Sequence, residues 1–470
     1  MTLPHVRHSI AVLLLAAFSG SLHAQAVDTL PADLRSKIDA VAAEVLEATG
    51  VPSASLAVVK DGKVAYTHAY GLARLSPPLS AEPSMRYSIG SISKQFTAAA
   101  LLLLQQDGKL KLDDPVAKYL PGLTRANEIT LRMLLSHTSG YQDYWPEDYV
   151  MTPMLEPVTS KEILDTWAKK PLDFDPGTKW QYSNTNYVIA GVIIEQVSGM
   201  PVLRLLQTRV FTPLEMKSVY NTDEGRLPAG DATGYYRHAL GPLRPSPKEG
   251  KGWMFAAGEL AMPAYDLALW DISLMNRSLL AATSYQQMFD EAKLKDGGAT
   301  GYALGIQVSR LEGHLLLEHS GEVSGFVSDN LIDVDNKAAV AVLTNQDAIS
   351  AASSIARKVR QLLVGQPSVA GSSEETRAAA VFAGLQDGKI DRSLFTKNCN
   401  DYFDEVALQD FAQSLKPLGT PESFHQTHSG LRGGMTFRVF HVVFPHQQLT
   451  VTTYEMPDKT FEQYLVMPAQ

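Results

Sequence analysis

The segments that favour β-strands before residue 365 fall into two groups, with a long helical stretch between them. Ser55–Val59 and Val64–Tyr70 flank an Asp61-Gly62 turn and predict a hairpin. The later strand-like runs are Tyr302–Arg310, His314–Glu318, Phe326–Asp333 and Ala338–Leu343, followed by a predicted helix at 350–363. This order predicts an α+β fold: an antiparallel sheet made from both ends of a domain, flanked by helices, with an inserted helical subdomain.

The middle stretch alternates apolar helical patterns with loops. The pattern predicts helices at 112–119, 131–135, 160–169, 187–197, 202–210 and 260–274. Residues 140–157 are aromatic and contain proline, so we expect a surface loop there. Residues 222–252 are rich in glycine, proline and charge and are also predicted to be mostly loop.

A change of composition near residue 364 predicts a second domain. Residues 364–375 are rich in Gly, Pro and Ser, which is typical of a linker. Two helical patterns, 377–385 and 406–415, then precede three predicted strands, Met435–Phe444, Leu449–Glu455 and Thr460–Val466. The predicted organisation is a signal peptide at 1–26, a main domain at 27–365, a linker at 366–376 and a small α+β domain at 377–470.

The first 26 residues have the features of a secretory signal peptide. Arg7 stands in a short basic region, Ile10–Phe18 is apolar, and Ala24-Gln25-Ala26 has the small-x-small pattern of a cleavage site. Nine apolar residues are too few to span a bilayer, which argues against an uncleaved anchor. We therefore expect a secreted or periplasmic protein with no integral membrane segment after the signal is removed.

Charge and cysteine content exclude several function classes. The chain carries a formal net charge of −9, so we expect no nucleic-acid partner. Its single cysteine, Cys399, excludes an internal disulfide framework and is expected to be a small buried hydrophobic residue. His425 and His428 could share a helix face, but no acidic or cysteine partner stands at ligand spacing. The sequence therefore predicts no metal site and no cofactor.

Ser91 and Lys94 stand at the start of an apolar helical pattern that Asp107-Gly108 ends. Residues three apart lie on one helix face, so the Ser91 hydroxyl would meet the Lys94 amine. A buried lysine loses its charge and can act as the base for a serine nucleophile, while the helix N-terminus offers N–H donors to an oxyanion. Because this spacing occurs by chance about once in a chain of this length, the motif alone does not decide the role of Ser91.

Two further motifs carry residues that could complete such a site. Tyr182 precedes the helix at 187–197, and a nearby ammonium would favour its phenolate and let it relay the serine proton. Asn184 can hold a substrate amide and orient Lys94, although a buried tyrosine with a capping asparagine is the alternative. His319-Ser320-Gly321 follows a predicted strand; Gly321 would let substrate approach the strand edge, unless the motif is a simple turn.

Together these motifs resemble the serine β-lactamase and penicillin-binding protein superfamily, especially its class C β-lactamase, D-amino-acid peptidase and esterase branch. The resemblance covers about residues 30–365, with Leu134–Gly140, Phe174–Gly177 and Asp266–Ala268 as further matching segments. It implies Ser91 as acylated nucleophile, Lys94 as base, Tyr182 as proton relay, Asn184 as substrate contact, and His319, Ser320, Gly321 and Glu322 beside the substrate. It also implies an oxyanion hole from the N–H groups of Ser91 and Glu322, and makes His137 a structural residue.

One residue departs from the β-lactamase pattern. His319 stands where these enzymes usually carry lysine, and a histidine gives a positive charge only when it is protonated. We therefore expect esters or D-amino-acid amides to be preferred to β-lactams, and any β-lactam acylation to strengthen as the pH falls through the histidine range. The second domain resembles, more weakly, the small cystatin-like or NTF2-like domains appended to such hydrolases.

The expected function is that of a periplasmic serine hydrolase acting through an acyl-enzyme on ester, peptide or D-amino-acid amide bonds and, less favourably, on β-lactams. Its expected partner is a small-molecule or peptidoglycan-like peptide substrate. The alternative is a catalytically silent penicillin-binding-like protein that binds peptides or a partner. The intact set of Ser91, Lys94, Tyr182 and Asn184 argues against that alternative, and the sequence leaves the oligomeric state open.

Overall fold

The computed structural model describes residues 27–147, 149–238, 241–311, 313–347, 349–364, 373–432 and 435–469. The predicted signal peptide and most of the predicted linker lie outside these residues. The described helices are α1 (Ala32–Thr49), α2 (Ser93–Gln106), α3 (Leu131–Leu135), α4 (Ser160–Ile163), α5 (Asn184–Ser198), α6 (Val202–Leu206), α7 (Ala264–Asn276), α8 (Ala282–Phe289), α9 (Ala351–Val364), α10 (Ser373–Gln386), α11 (Lys397–Tyr402) and α12 (Glu405–Leu415).

The described strands are β1 (Ser53–Lys60), β2 (Lys63–Leu75), β3 (Pro78–Ser80), β4 (Tyr87–Ser88), β5 (Tyr220–Asn221), β6 (Tyr235–Tyr236), β7 (Arg244–Pro245), β8 (Leu260–Met262), β9 (Gln307–Leu311), β10 (His314–Val323), β11 (Phe326–Asp333), β12 (Ala338–Thr344), β13 (Ser423–Arg432), β14 (Met435–Phe444), β15 (Gln447–Glu455) and β16 (Phe461–Pro468). Short 3-10 turns include Gly90–Ile92 and Val116–Lys118, and single π-helical turns extend α4 and α6.

The main sheet is antiparallel and comes from both ends of its domain, as the sequence predicts. Its strand order is β3-β2-β1-β12-β11-β10-β9. Central β1 is buried along almost its whole length because helices cover both faces of the sheet. Its side chains alternate between two cores: Leu56 packs with α1 and α9, whereas Ala57 packs on the side of α2 and α7. The inserted subdomain is formed by helical segments between β3 and β9, whereas α7, from the same stretch, packs on the main sheet against β1 and β12.

Helix α2 is the central element of the main domain. Every residue from Ser93 to Leu104 is buried, so this helix is enclosed on all sides rather than along one stripe. The consequence is that Lys94, in the first turn of α2, has its amine inside the protein.

Three predicted elements differ from the structure. Leu260–Met262 forms strand β8 between β4 and β5 instead of starting a helix, because Pro263 delays the helix until Ala264. The predicted helix at 112–119 is a single 3-10 turn. The predicted strand at 302–310 begins only at Gln307, since Gly305 takes a positive φ of 75° that interrupts an extended chain.

The C-terminal residues form a separate helix-and-sheet domain, as expected. Helices α10 to α12 pack on the meander β13-β14-β15-β16, and the buried Cys399 contributes to this core. Strand β13 was not predicted, and it corrects the prediction for His425 and His428, which lie on that strand and not on a helix. A cystatin-like or NTF2-like type for this domain stays a prediction.

In the part of the chain that the structure describes, no single helix is both long and apolar enough to cross a bilayer. One pair of consecutive helical segments, Asn184–Ser198 and Val202–Phe211, is long and apolar enough only when the two are counted as one span, and a bend of 68° separates them.

We predict that residues 27–365 fold and hydrolyse substrate without the C-terminal domain. The reason is that the hydrophobic core of residues 378–466 shares no residue with the cores of the main domain. Thermal unfolding and ester hydrolysis of the truncated chain measure this. A truncated chain that is insoluble or inactive, while the full chain is active, would show that the two domains share a core or a site.

Candidate active site

Ser91 lies in the 3-10 turn Gly90–Ile92 that leads into α2, one turn before the α-helix proper. The predicted helix start is therefore displaced by two residues, but the turn still brings the Ser91 hydroxyl to Lys94. Gly90 has a φ of +50°, and a Cβ there would lie 2.7 Å from the backbone nitrogen of Glu322. Only glycine lets strand β10 lie directly on this turn.

The amine of Lys94 has three hydrogen-bond partners. Its Nζ lies 2.9 Å from Ser91 Oγ, 2.7 Å from Asn184 Oδ1 and 2.8 Å from the Ala257 carbonyl oxygen. The last two atoms can only accept hydrogen bonds. A neutral amine donates its two N–H bonds to them, and its lone pair then faces the Ser91 hydroxyl. This arrangement lets Lys94 take the proton of Ser91.

The Ala257 carbonyl is held in place by α2 itself. Thr97 Oγ1 donates to the carbonyl of Ala256 at 2.7 Å, and the Leu260 N–H donates to Ser93 Oγ at 3.1 Å. Ala256 has a φ of +55°, an uncommon backbone conformation for a residue with a side chain. The segment 256–260 is thus fixed along α2, with one carbonyl aimed at the lysine.

Burial is the main influence on the charge of Lys94. Its side chain has no solvent exposure, and burial lowers the pKa of Lys94 to about 7, against an opposing effect of the Asp143 carboxylate. The Nζ atom also lies 4.9 Å from the ring centre of Tyr182 and 5.4 Å from that of Tyr187. Near neutral pH a substantial fraction of Lys94 is therefore the neutral amine.

Tyr182 is hydrogen-bonded to Ser91 through its hydroxyl. Burial raises the pKa of Tyr182 far above its ordinary value, so the predicted phenolate is wrong. As a neutral phenol Tyr182 can donate to Ser91 Oγ while Ser91 donates to Lys94. A neutral phenol can still pass a proton to a leaving group, because it can accept one proton as it donates another.

Asn184 is the first residue of α5 and joins Lys94 to a loop residue that the sequence did not single out. Its Oδ1 accepts from Lys94, and its Nδ2 lies 3.3 Å from Asp143 Oδ2 and 3.4 Å from the Trp145 carbonyl oxygen. The structure thus places Asn184 where it orients Lys94. The sequence also predicts that Asn184 contacts the substrate amide. If Nδ2 made that contact, it would have to donate to the substrate as well as to Asp143 Oδ2 and the Trp145 carbonyl oxygen.

His137 lies behind Tyr182 and is fully buried. Its Nδ1 accepts from the backbone N–H of Ser183 at 3.1 Å, and its ring centre lies 4.3 Å from that of Tyr182. Burial, together with the nearby charge of Lys94, lowers the pKa of His137 well below its ordinary value. These contacts support the expected structural role, which is to hold Tyr182 and its backbone beside the site.

His319 lies within strand β10 and not in a turn after it, because the strand continues to Val323. Its Nδ1 donates to the Ser320 carbonyl and its Nε2 lies 2.7 Å from the Tyr302 hydroxyl. Burial, with the charge of Lys94, lowers the pKa of His319 to about 3. The expectation that His319 becomes charged as the pH falls through the ordinary histidine range is therefore wrong.

The rest of the motif on β10 forms the strand edge beside the nucleophile. A Cβ on Gly321 would lie 1.9 Å from the Ile89 carbonyl oxygen, so glycine permits the close approach of β10 to the turn that holds Ser91. Ser320 and Glu322 line the same cavity as Ser91. The backbone N–H groups of Ser91 and Glu322 thus belong to two segments in contact, as the predicted oxyanion hole requires.

Ser91 opens into a cavity of about 760 Å³. One wall comes from residues 143–147, 149 and 150. The expected surface loop at 140–157 is wrong for Tyr144, which is buried because it packs on Trp167 and Trp253. Four acidic residues line the cavity: Asp143, Glu147, Glu322 and Asp347. Among the described lining residues there is no arginine or lysine.

Asp143, Tyr302 and the Ala257 carbonyl belong to the site but are not indicated by the sequence patterns. Asp143 stands three residues after the Leu134–Gly140 segment, and an acid in an otherwise aromatic loop was the available signal. Tyr302 and Ala257 carry no such signal, because their roles arise only from contacts with residues far along the chain. Among the residues that the structure covers, no group of three or more His, Cys, Asp or Glu side chains is placed to hold a metal ion.

The sequence model of the family described as Beta-lactamase matches residues 38–363. The chain belongs to the beta-lactamase family. A D-aminopeptidase from Brucella anthropi is 30% identical to this chain over 331 residues. The match covers 70% of this chain and 62% of the D-aminopeptidase. The match thus spans less than two thirds of the relative's length.

Solved structures agree with this assignment. The D-amino acid amidase from Ochrobactrum anthropi SV3, complexed with D-phenylalanine, has 25% identity and a TM-score of 0.63, covering 71% of this chain and 99% of that one. The octameric penicillin-binding protein homologue from Pyrococcus abyssi has a TM-score of 0.64 at 22% identity, covering 92% of this chain and 99% of that one. The second likeness concerns the fold alone. The amidase likeness supports the D-amino-acid peptidase and esterase branch of this beta-lactamase family.

We predict that Ser91→Ala abolishes covalent labelling by a fluorophosphonate and lowers turnover by about a million-fold, with the fold intact, because it removes the nucleophile. Labelling followed by mass spectrometry, with thermal unfolding, measures this. Ser324→Ala is the matched control, since Ser324 lines the same cavity and its Oγ has no hydrogen-bond partner among the described residues. Wild-type hydrolysis by Ser91→Ala would exclude Ser91 as nucleophile.

We predict that kcat/KM for an ester rises with pH through about 7. Below this pH Lys94, whose pKa burial lowers to about 7, is protonated and donates to Ser91 instead of accepting its proton. Steady-state kinetics across pH 7 measure the acidic limb of the profile, which is the part where kcat/KM rises with pH. His319→Gln should leave the limb in place, because the pKa of His319 lies near 3. A limb that moves with His319→Gln would contradict the assignment to Lys94.

Proposed function

We propose that this protein is a serine hydrolase that forms an acyl-enzyme at Ser91 on small esters or D-amino-acid amides. The observation that carries the proposal is the contact of Lys94 with Ser91, Asn184 and the Ala257 carbonyl, which directs the amine lone pair at the hydroxyl. Ser91 Oγ attacks the acyl carbon as its proton moves to Lys94. Tyr182 then passes its hydroxyl proton to the leaving group and takes the proton held by Lys94 in its place. Water attacks the ester of Ser91, a water proton returns to Ser91 Oγ, and the acid is released.

The charge of the cavity supports a substrate with an ammonium group near the scissile bond. Four of the residues that line the cavity are acidic, and its one described histidine, His319, is neutral near pH 7. Aromatic rings of Trp145, Tyr149 and Trp180 form much of the remaining wall, and such faces also attract cations. An amino-acid ester or amide with a free amine fits this environment, as does the peptide end of a peptidoglycan-like substrate.

The same charge distribution opposes β-lactams. A β-lactam carries a carboxylate beside its reactive carbonyl, and a fixed cation at the strand edge would stabilise it by about 1.5–3 kcal/mol. His319 does not supply that cation, and the carboxylates of the cavity repel the substrate. We also propose that the protein acts in the periplasm or outside the cell, as the pattern of residues 1–26 favours export.

We predict that a D-amino-acid ester with a free amine is hydrolysed about tenfold or more faster, in kcat/KM, than its N-acetylated analogue, because acetylation removes the charge that the cavity attracts. Nitrocefin should be slower than both esters. His319→Lys should raise nitrocefin turnover relative to the free-amine ester. Steady-state kinetics on the three substrates test this; nitrocefin rates equal to the ester rates, or no gain in His319→Lys, would contradict it.

A further inference from the structure

The carboxylate of Asp143 holds Asn184 at two points. Oδ1 accepts from the backbone N–H groups of Asn184 and Trp145 at 2.9 and 3.2 Å, and Oδ2 lies 3.3 Å from Asn184 Nδ2. Both the backbone and the side chain of Asn184 are therefore tied to one carboxylate. Asp143 does not itself hydrogen-bond to Ser91 or Lys94 in the structure's described contacts, so any effect on them passes through Asn184 or through its charge.

These bonds fix which end of the Asn184 amide meets Lys94. A carboxamide has a donor end and an acceptor end, and here the donor end faces two acceptors, Asp143 Oδ2 and the Trp145 carbonyl. If the amide were reversed, its oxygen would oppose both acceptors. Its NH₂ group would then face the lone pair of Lys94 and compete with the Ser91 hydroxyl for it. The carboxylate therefore selects the orientation that leaves this lone pair to Ser91.

We propose that Asp143 is a positioning residue for acylation, holding the Asn184 amide so that Lys94 directs its lone pair at Ser91. The inference rests on the proposed function, because Lys94 acts as base only if Ser91 is the nucleophile. In the step concerned, the Ser91 proton moves from Oγ to Nζ of Lys94 while Oγ bonds to the acyl carbon. Asp143 neither gains nor loses an atom.

Asp143 also acts on Lys94 through its charge. Its anion favours the ammonium form of Lys94, against the effect of burial, while burial raises the pKa of Asp143 itself to about 6. The other groups that face Lys94 besides its hydrogen-bond partners are neutral near pH 7: Tyr182, Tyr187, His137 and His319. The two effects of Asp143, on position and on charge, can therefore be separated by experiment.

The principal test is Asp143→Asn, which keeps the size of the side chain and removes its charge. We expect the maximal rate of fluorophosphonate labelling, and kcat for an ester, to fall about tenfold to a hundredfold, because the amide orientation is no longer fixed. KM for an ester that carries no ammonium group should change little. The acidic limb of the labelling rate should move to lower pH, since Lys94 loses the anion that favours its protonation. A purely structural role would not move that limb.

Two controls separate the effect of Asp143 on the orientation of Asn184 from the electrostatic effect of carboxylates in the cavity. Glu147→Gln removes another carboxylate from the same cavity, and Glu147 Oε2 has no hydrogen-bond partner among the described residues, so this variant should leave the acidic limb in place. In an Asn184→Ala background, Asp143→Asn should cause no further loss of maximal rate but should still shift the limb. Such non-additivity is expected when one residue acts through another.

Labelling of Ser91 distinguishes failure of the inference from failure of the proposed function. If wild type is not labelled, both are overturned. Two outcomes with a labelled wild type overturn only the role of Asp143. In the first, Asp143→Asn is labelled with the same rate and pH profile as wild type. In the second, Asp143→Asn lowers the labelling rate as much in the Asn184→Ala background as it does in wild type. If Asp143→Asn does not fold, Asp143→Ser keeps an acceptor for the Asn184 N–H without the charge, and it carries the same expectations.

Discussion

The burial of one lysine amine is the constraint on which the rest of the site depends. Helix α2 is enclosed on all sides, so Lys94 reaches no solvent and its charged form is disfavoured. A buried amine must find hydrogen-bond partners within the protein. The amide of Asn184 and the carbonyl of Ala257 meet that need, and they leave one direction, toward Ser91, for chemistry.

Burial sets the protonation of the neighbouring groups in the same way. Desolvation by the surrounding protein favours the phenol form of Tyr182 and the neutral imidazoles of His137 and His319. Hydrogen bonds among neutral groups in such a region are stronger than they would be in water. Before acylation the proton-transfer groups Ser91, Lys94 and Tyr182 can therefore all be neutral. The ammonium of Lys94 forms only as negative charge develops on the acyl oxygen.

Sequence patterns predicted what depends on local chemistry. The strand-like run Phe326–Asp333 and the turn at Asp61-Gly62 indicate a strand and a hairpin directly from local sequence. The three-residue spacing of Ser91 and Lys94 indicates that their side chains meet on one helical face. Ionisation was not predictable for His319 or Tyr182, because it depends on burial by residues distant in the chain. Asp143 was missed because its function lies in two bonds to Asn184, and a single carboxylate in a loop does not show what it will bind.

The pairing of β1 with β12 has a consequence for how the chain folds. Val58 lies opposite Val340, so the central strand joins a neighbour that is separated from it by nearly the whole domain. Folds with such distant pairings have high contact order and form slowly, since a large loop must close before the pairing gains energy. Until β12 has been synthesised, the β1–β2 hairpin has an unpaired apolar edge that can associate with other chains. Aggregation during synthesis is therefore a hazard that this topology carries independently of its final stability.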